Sequence, residues 1–209
     1  MQAGINLNKI IGLVIRSKFK IIKILLMICI LIIIISCKIQ KNPYAACELL
    51  RTKNQFAESI SCYQRMDLSQ IETIKNIGLT YFYQADFERN LSDNITSKEV
   101  TFLLKKSAAW YEQAASKGDA QSEFLLGIIY GKLLPIGERD INKSIEFFTR
   151  SANKEYIPAQ IEMGIYYYYL GVATQNQSYF MKSVSYFQKA NTDEAKQWVE
   201  ILRKEHRIP

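Results

Sequence analysis

The sequence predicts an all-α protein, an α-solenoid of stacked helical hairpins, and three observations carry that prediction. An aromatic pair followed by small residues recurs at a nearly fixed interval. Trp110-Tyr111 with Ala114-Ala115 returns 37 residues later as Phe147-Phe148 with Ala152, and after 39 more as Tyr186-Phe187 with Ala190. A glycine followed three positions on by tyrosine recurs in step with it, as Gly78 and Tyr81, Gly127 and Tyr130, Gly164 and Tyr167. Aromatic and small residues three or four apart share one helix face. One hairpin of that kind cannot bury its apolar face alone, so such units stack into a superhelix. The chain, 209 residues and 48% apolar, can bury a core of this type.

The first element is a leader, residues 1–36. It contains Lys9, Arg16, Lys18, Lys20 and Lys23 and no acidic residue, followed by an apolar run from Ile24 to Ile35. That run has the length of a signal-peptide core and falls short of the roughly 20 residues a spanning helix needs. An uncleaved N-terminal anchor, helped by the apolar stretch from Ile10 to Ile15, is the competing reading. The formal charge of +7 belongs mostly to this leader: 22 basic against 20 acidic residues remain from Cys37 onward, a net of +2. A phosphate-binding surface, and with it a nucleic-acid partner, is therefore not expected.

Ile34-Ile35-Ser36-Cys37 resembles the bacterial lipobox. The resemblance implies that Cys37 takes a diacylglycerol, that the chain is cut before it and that the new amine is acylated, leaving 37–43 as a lipidated tether. Two or three acyl chains anchor stably where one does not. Lys38, by similarity to enterobacterial sorting rules, implies the outer membrane, facing the periplasm.

Residues 44–209 form the repeat domain, in units of about 44–99, 100–136, 137–176 and 177–209. In the first, Ser59-Ile60-Ser61-Cys62-Tyr63-Gln64-Arg65 answers Ser144-Ile145-Glu146-Phe147-Phe148-Thr149-Arg150. Cys47 and Cys62 lie on two antiparallel helices either side of a turn near Lys53-Asn54. They either form a cross-hairpin disulfide or pack as two buried thiols. The spacing to the second unit is about a dozen residues longer than elsewhere. The polar excess Glu88 to Asn94 is either a binding loop or tolerated surface, and tolerated surface is the favoured reading. In the later units, small residues (Ala114, Ala115, Ala152, Ala190, Gly127, Gly164) permit close helix approach, while Trp110, Phe147 and Phe187 fill the space between.

The pattern A-x-W-Y-x-x-A-A-x-x-G-x-A from Ala108 to Ala120, followed by Leu126-Gly127-x-x-Tyr130, resembles the Sel-one-like repeat, a relative of the tetratricopeptide repeat. It covers about Tyr44 to Trp198 and is clearest from Ser107 to Tyr168. Glu155 stands where the pattern has Gly118, and the usual glycine-rich loop is reduced to Leu134-Pro135-Ile136-Gly137. The resemblance implies inner helices lining a concave face that holds a protein partner. Tyr83, Lys132 and Tyr169 align on that face, with Tyr166 beside them, as a candidate binding stripe; tyrosine is large, rigid and amphipathic, which favours recognition.

Catalysis is not expected. The sequence has no phosphate loop, nucleophile elbow or HExxH, and its one histidine, His206, sits in the tail. No cofactor, metal or small-molecule substrate follows from it. The leading expectation is a membrane-anchored periplasmic lipoprotein that binds a protein. Similar tethered repeat lipoproteins act as immunity partners of type VI secretion phospholipase effectors, which makes a secreted toxin one candidate partner. The rival expectation is a structural or envelope-assembly lipoprotein without a toxin partner.

Overall fold

The computed structural model describes Met27, residues 42–92 and residues 98–206. The leader, Cys37 and most of the tether lie outside the described residues. Helices α1 (Ala45–Thr52) and α2 (Phe56–Gln64) form a tight hairpin, and α3 (Ile71–Ser92) is followed by α4 (Lys98–Ser116). Helix α5 (Ala120–Ile128) runs into a π-helical turn, Ile129–Leu133, and a short 3-10 segment, Ile136–Glu138. Then come α6 (Ile141–Asn153), α7 (Ile157–Thr174), α8 (Gln177–Ala190) and α9 (Asp193–His206). The described residues contain no strand. From Ala46 onward the chain is one compact unit, and each helix packs chiefly on its neighbours in sequence, as in a repeat solenoid.

Local chemistry sets the helix ends. Asp119, Asp140 and Asn176 cap α5, α6 and α8, accepting from the backbone N–H groups of Ser122, Lys143 and Ser178. Gly118 leaves α4 with φ +93°, and Glu155 keeps the left-handed backbone after α6 with φ 61°. The departure from glycine there thus preserves the turn at an order of about 1 kcal/mol in backbone strain. No described helix is long and apolar enough to cross a membrane.

One packing device recurs. Ser107, Ser144 and Ser183 each donate a hydroxyl to the carbonyl of a glycine on a preceding helix, at Gly78 (2.9 Å), Gly127 (2.7 Å) and Gly164 (2.7 Å). Four residues after each serine an aromatic ring lies against that same glycine: Tyr111, Phe148 and Phe187. A Cβ on Gly127 or Gly164 would come within 2.6 or 2.7 Å of ring carbons, so only glycine lets these helices meet. In the first hairpin Ser59 donates to the carbonyl of Cys47 (2.9 Å), so Cys47 stands at the glycine position. There the structure joins Cys47 to Cys62 in a disulfide with Cα atoms 5.5 Å apart.

Two expectations change. The second aromatic of the pair at 110–111 is the buried one: Tyr111 is enclosed, while Trp110 is half-buried, because Gly78 opens its space opposite position 111. The polar excess is not a loop over its first part: α3 stays helical through Ser92, and residues 93–97 lie outside the description.

Candidate protein-binding groove

Helix spacing assembles the groove. Glu162, Tyr166 and Tyr169 sit at i, i+4 and i+7 on α7, one face of that helix. The π-helical turn presents Lys132 opposite them, and Ile141 and Ile145 of α6 complete an opening of about 330 Å³ over Phe148 and Met163. Lys132 Nζ reaches both carboxylate oxygens of Glu162 at 2.7 Å. Arg139 steadies the turn by donating to the carbonyls of Lys132 (2.9 Å) and Leu134 (2.8 Å). Tyr169 is 61% exposed and Ile141 52%. Tyr166 is half-buried and meets Tyr167 edge-on at 5.3 Å. The result is an apolar floor with two tyrosine rings at its side and one ion pair across it.

The four candidate residues divide between two depressions. Lys132, Tyr166 and Tyr169 share the groove. Tyr83, 50% exposed, lines a separate opening with Phe56, Phe87 and Arg51, whose guanidinium lies 5.5 Å above its ring. Arg51 also faces Tyr63 at 5.9 Å; burial pushes the Tyr63 hydroxyl up to about 12 while Arg51 pulls the other way. Sequence reasoning missed Glu162, Ile141 and Ile145. The four-and-seven spacing of Glu162 from the tyrosines was the available signal.

Two polar nodes tie neighbouring units beside the groove. Glu123, fully buried on α5, is held by Arg150 of α6 (2.8 Å) and by Lys154 at that helix's C-cap (2.9 Å). Glu112 of α4 accepts from Lys143 (2.8 Å) and from the Tyr130 hydroxyl (2.9 Å), with Lys143 Nζ 4.0 Å above the Tyr130 ring. Burial raises the Glu112 carboxyl, but hydrogen bonds from Lys143 and Tyr130 outweigh it and leave the group below the usual carboxylate range. Burial lowers Lys143, and the same contacts more than restore it, leaving it above its ordinary value. Among the described residues there is no group of three or more potential metal ligands.

Stacked hairpins with an open groove and exposed aromatic rings define a helical-repeat scaffold. Segments 104–119, 120–156 and 157–193 match the Sel1 repeat. Residues 104–193 thus carry three matches to the Sel1 repeat. The family frame opens at Ala120 and Ile157, half a unit out of phase with hairpins counted from α4, a choice of origin that a continuous stack leaves free. A sel1-like repeat-containing protein of Acanthamoeba polyphaga mimivirus is 31% identical over 108 residues, 52% of this chain and 19% of its own length. The crystal structure of a Sel1 repeat protein from Oxalobacter formigenes superposes with a TM-score of 0.53 at 20% identity, covering 77% of this chain and 60% of that one. The chain thus spans about a fifth of the viral relative and under two thirds of the solved one. Sel1 repeats generally mediate protein–protein interaction.

Proposed function

We propose that this protein is an envelope-tethered scaffold that holds a protein partner in the groove between Lys132 and Tyr169, with Cys37 supplying the lipid anchor. The observation that carries the reading is the groove itself: an apolar floor, an exposed Tyr169 and a half-buried Tyr166, flanked by the Lys132–Glu162 pair. Rigid aromatic anchors beside a dry floor are what protein hot spots are made of. The Cys47–Cys62 disulfide supports delivery to an oxidising compartment. Neutralisation of a secreted phospholipase effector, by stoichiometric binding where the toxin arrives, is the specific form this scaffold takes.

A photo-crosslinking residue at Tyr169, introduced in cells that make the full chain, tests the groove against the same residue at exposed Gln113. We expect one adduct of defined mass from position 169 alone, lost when Tyr166→Ala is added. Identical adducts from both positions would overturn the groove assignment. An effector in the adduct supports neutralisation, whereas an envelope component supports an assembly scaffold in its place. Labelling by a palmitate analogue should vanish in Cys37→Ser, and labelling that persists removes the tether from the proposal.

A further inference from the structure

Glu123 and Gln160 occupy one repeat position, 37 residues apart, and both are buried. The Glu123 carboxylate is charge-paired from α6 and its C-cap residue, although its Oε2 makes no hydrogen bond. Arg150 Nε and Nη2 lie 3.0 and 2.8 Å from Oε1, and Lys154 Nζ lies 2.9 Å from Oε2. One repeat later the donors differ. In the register set by Phe148 and Phe187, Lys189 answers Arg150 and Asp193 answers Lys154. Lys189 keeps the seat on the aromatic ring: its Nζ is 5.5 Å from the Tyr186 ring, as Arg150 Cζ is 5.4 Å from the Phe147 ring. Lys189 lines the same cavity as Gln160 but gives the Gln160 amide oxygen no hydrogen bond. Asp193 has the wrong sign and faces Lys196 at 3.3 Å.

Gln160 is left without its donor. It is 3% exposed, its Nε2 donates to the Ala152 carbonyl at 3.4 Å, and its buried Oε1 has no hydrogen-bond partner. A buried acceptor without a donor is unfavourable unless something supplies one. Gln160 lines a cavity of about 520 Å³ together with Ala152, Asn153, Glu155, Lys189 and Ala190. Helices α6 and α8 end at this cavity, so their C-terminal carbonyl dipoles, the Glu155 carboxylate and the amide oxygen set negative potential against the one lining ammonium, Lys189.

We propose that this cavity is a receptor for a guanidinium, filled by an arginine side chain of a partner protein. That arginine takes the place that Arg150 takes one repeat earlier. Arginine fits better than lysine because its planar fork can serve the amide oxygen and a carboxylate together. The cavity shares no lining residue with the Tyr166–Tyr169 groove, so the two assignments succeed or fail separately.

The test is a titration of the full ¹⁵N-labelled chain in detergent micelles with N-acetylarginine amide, which carries one guanidinium and no other charge. N-acetylcitrulline amide and N-acetyllysine amide are the controls. The arginine probe should saturably shift the backbone amides of Asn153 and Ala190 together with the Gln160 side-chain amide, and both controls should bind at least about five-fold weaker. Gln160→Met removes the acceptor and should abolish saturation. Lys189→Arg should fill the cavity from within, as Arg150 does, and also abolish it; this variant decides the matter if Gln160→Met does not fold. Equal shifts by arginine and citrulline probes, or undiminished binding by either variant, would overturn the proposal.

Discussion

Replacing Gly164 with alanine tests the packing device that sets the repeat. Two effects oppose each other. Alanine in a helix interior gains about 1 kcal/mol over glycine in intrinsic propensity. The added Cβ, however, would lie 2.7 Å from Phe187 Cε1. The ring cannot retreat freely, because Trp198 stacks on it with centroids 5.6 Å apart and planes 4° from parallel. Overpacking of this kind costs about 1–3 kcal/mol, and a ring backed by a second ring belongs at the upper end. The net expectation is a loss of about 1–2 kcal/mol, which lowers Tm by about 3–6 °C for a domain of this size. Gly137→Ala is the matched control, since nothing lies within 4 Å of its added Cβ, and it should stay within about 0.5 kcal/mol of the parent. Denaturant melts followed by far-UV circular dichroism give both numbers. A Gly164→Ala protein as stable as the parent, or more so, would mean that propensity wins, and the clasp would not be what spaces these helices.

Lys143→Met should cost on the order of 0.5–1 kcal/mol near neutral pH, because both partners of this ion pair are more than a third exposed and screening discounts it. Glu112 is held below its unfolded value, so its share of that stability is present above about pH 4.3 and drains away as pH falls through the folded value. Parent and variant melts should therefore draw together as pH falls below about 4.3, and a gap that stays constant into acid would refute the assignment. Tyr111→Phe should be neutral or stabilising by up to about 1 kcal/mol, since its hydroxyl is buried with no hydrogen-bond partner while its ring does the packing on Gly78. Destabilisation beyond about 1 kcal/mol in the chemical melt would show that the hydroxyl has a bonded partner after all.

The repeat was legible because its period is written in bulky residues, but which member of each aromatic pair faces inward was not. At 147–148 both rings are buried, Phe148 on Gly127 and Phe147 stacked on Tyr130 at 6.0 Å. At 110–111 only Tyr111 is. The deciding partner is the glycine on another helix, a contact that composition does not locate. A serine four residues ahead of the inward ring, at 59, 107, 144 and 183, marks it in every unit and was the available cue. The groove was half legible. Aligned tyrosines on one helix pointed to Tyr166 and Tyr169, whereas Tyr83 parts from them because Arg51 and Phe87 enclose it in an opening of their own.

The same register explains why the cysteines sit where they do. Aligned on the serines, Cys47 takes the glycine position and Cys62 takes the position of Trp110, Phe147 and Tyr186. Elsewhere a glycine and an aromatic ring fit together by shape, each unit supported by the unit before it. In the described chain α1 and α2 open the stack, and two sulfurs link the glycine position to Cys62, the neighbour of the buried ring Tyr63. Closing a loop of 15 residues removes about 3 kcal/mol of chain entropy from the unfolded state. That is comparable to what a well-seated ring contributes inside the array. The first hairpin therefore adds a covalent bond beside its buried ring. Its stability should depend on the oxidation state of that bond in a way that the Gly127 and Gly164 clasps do not.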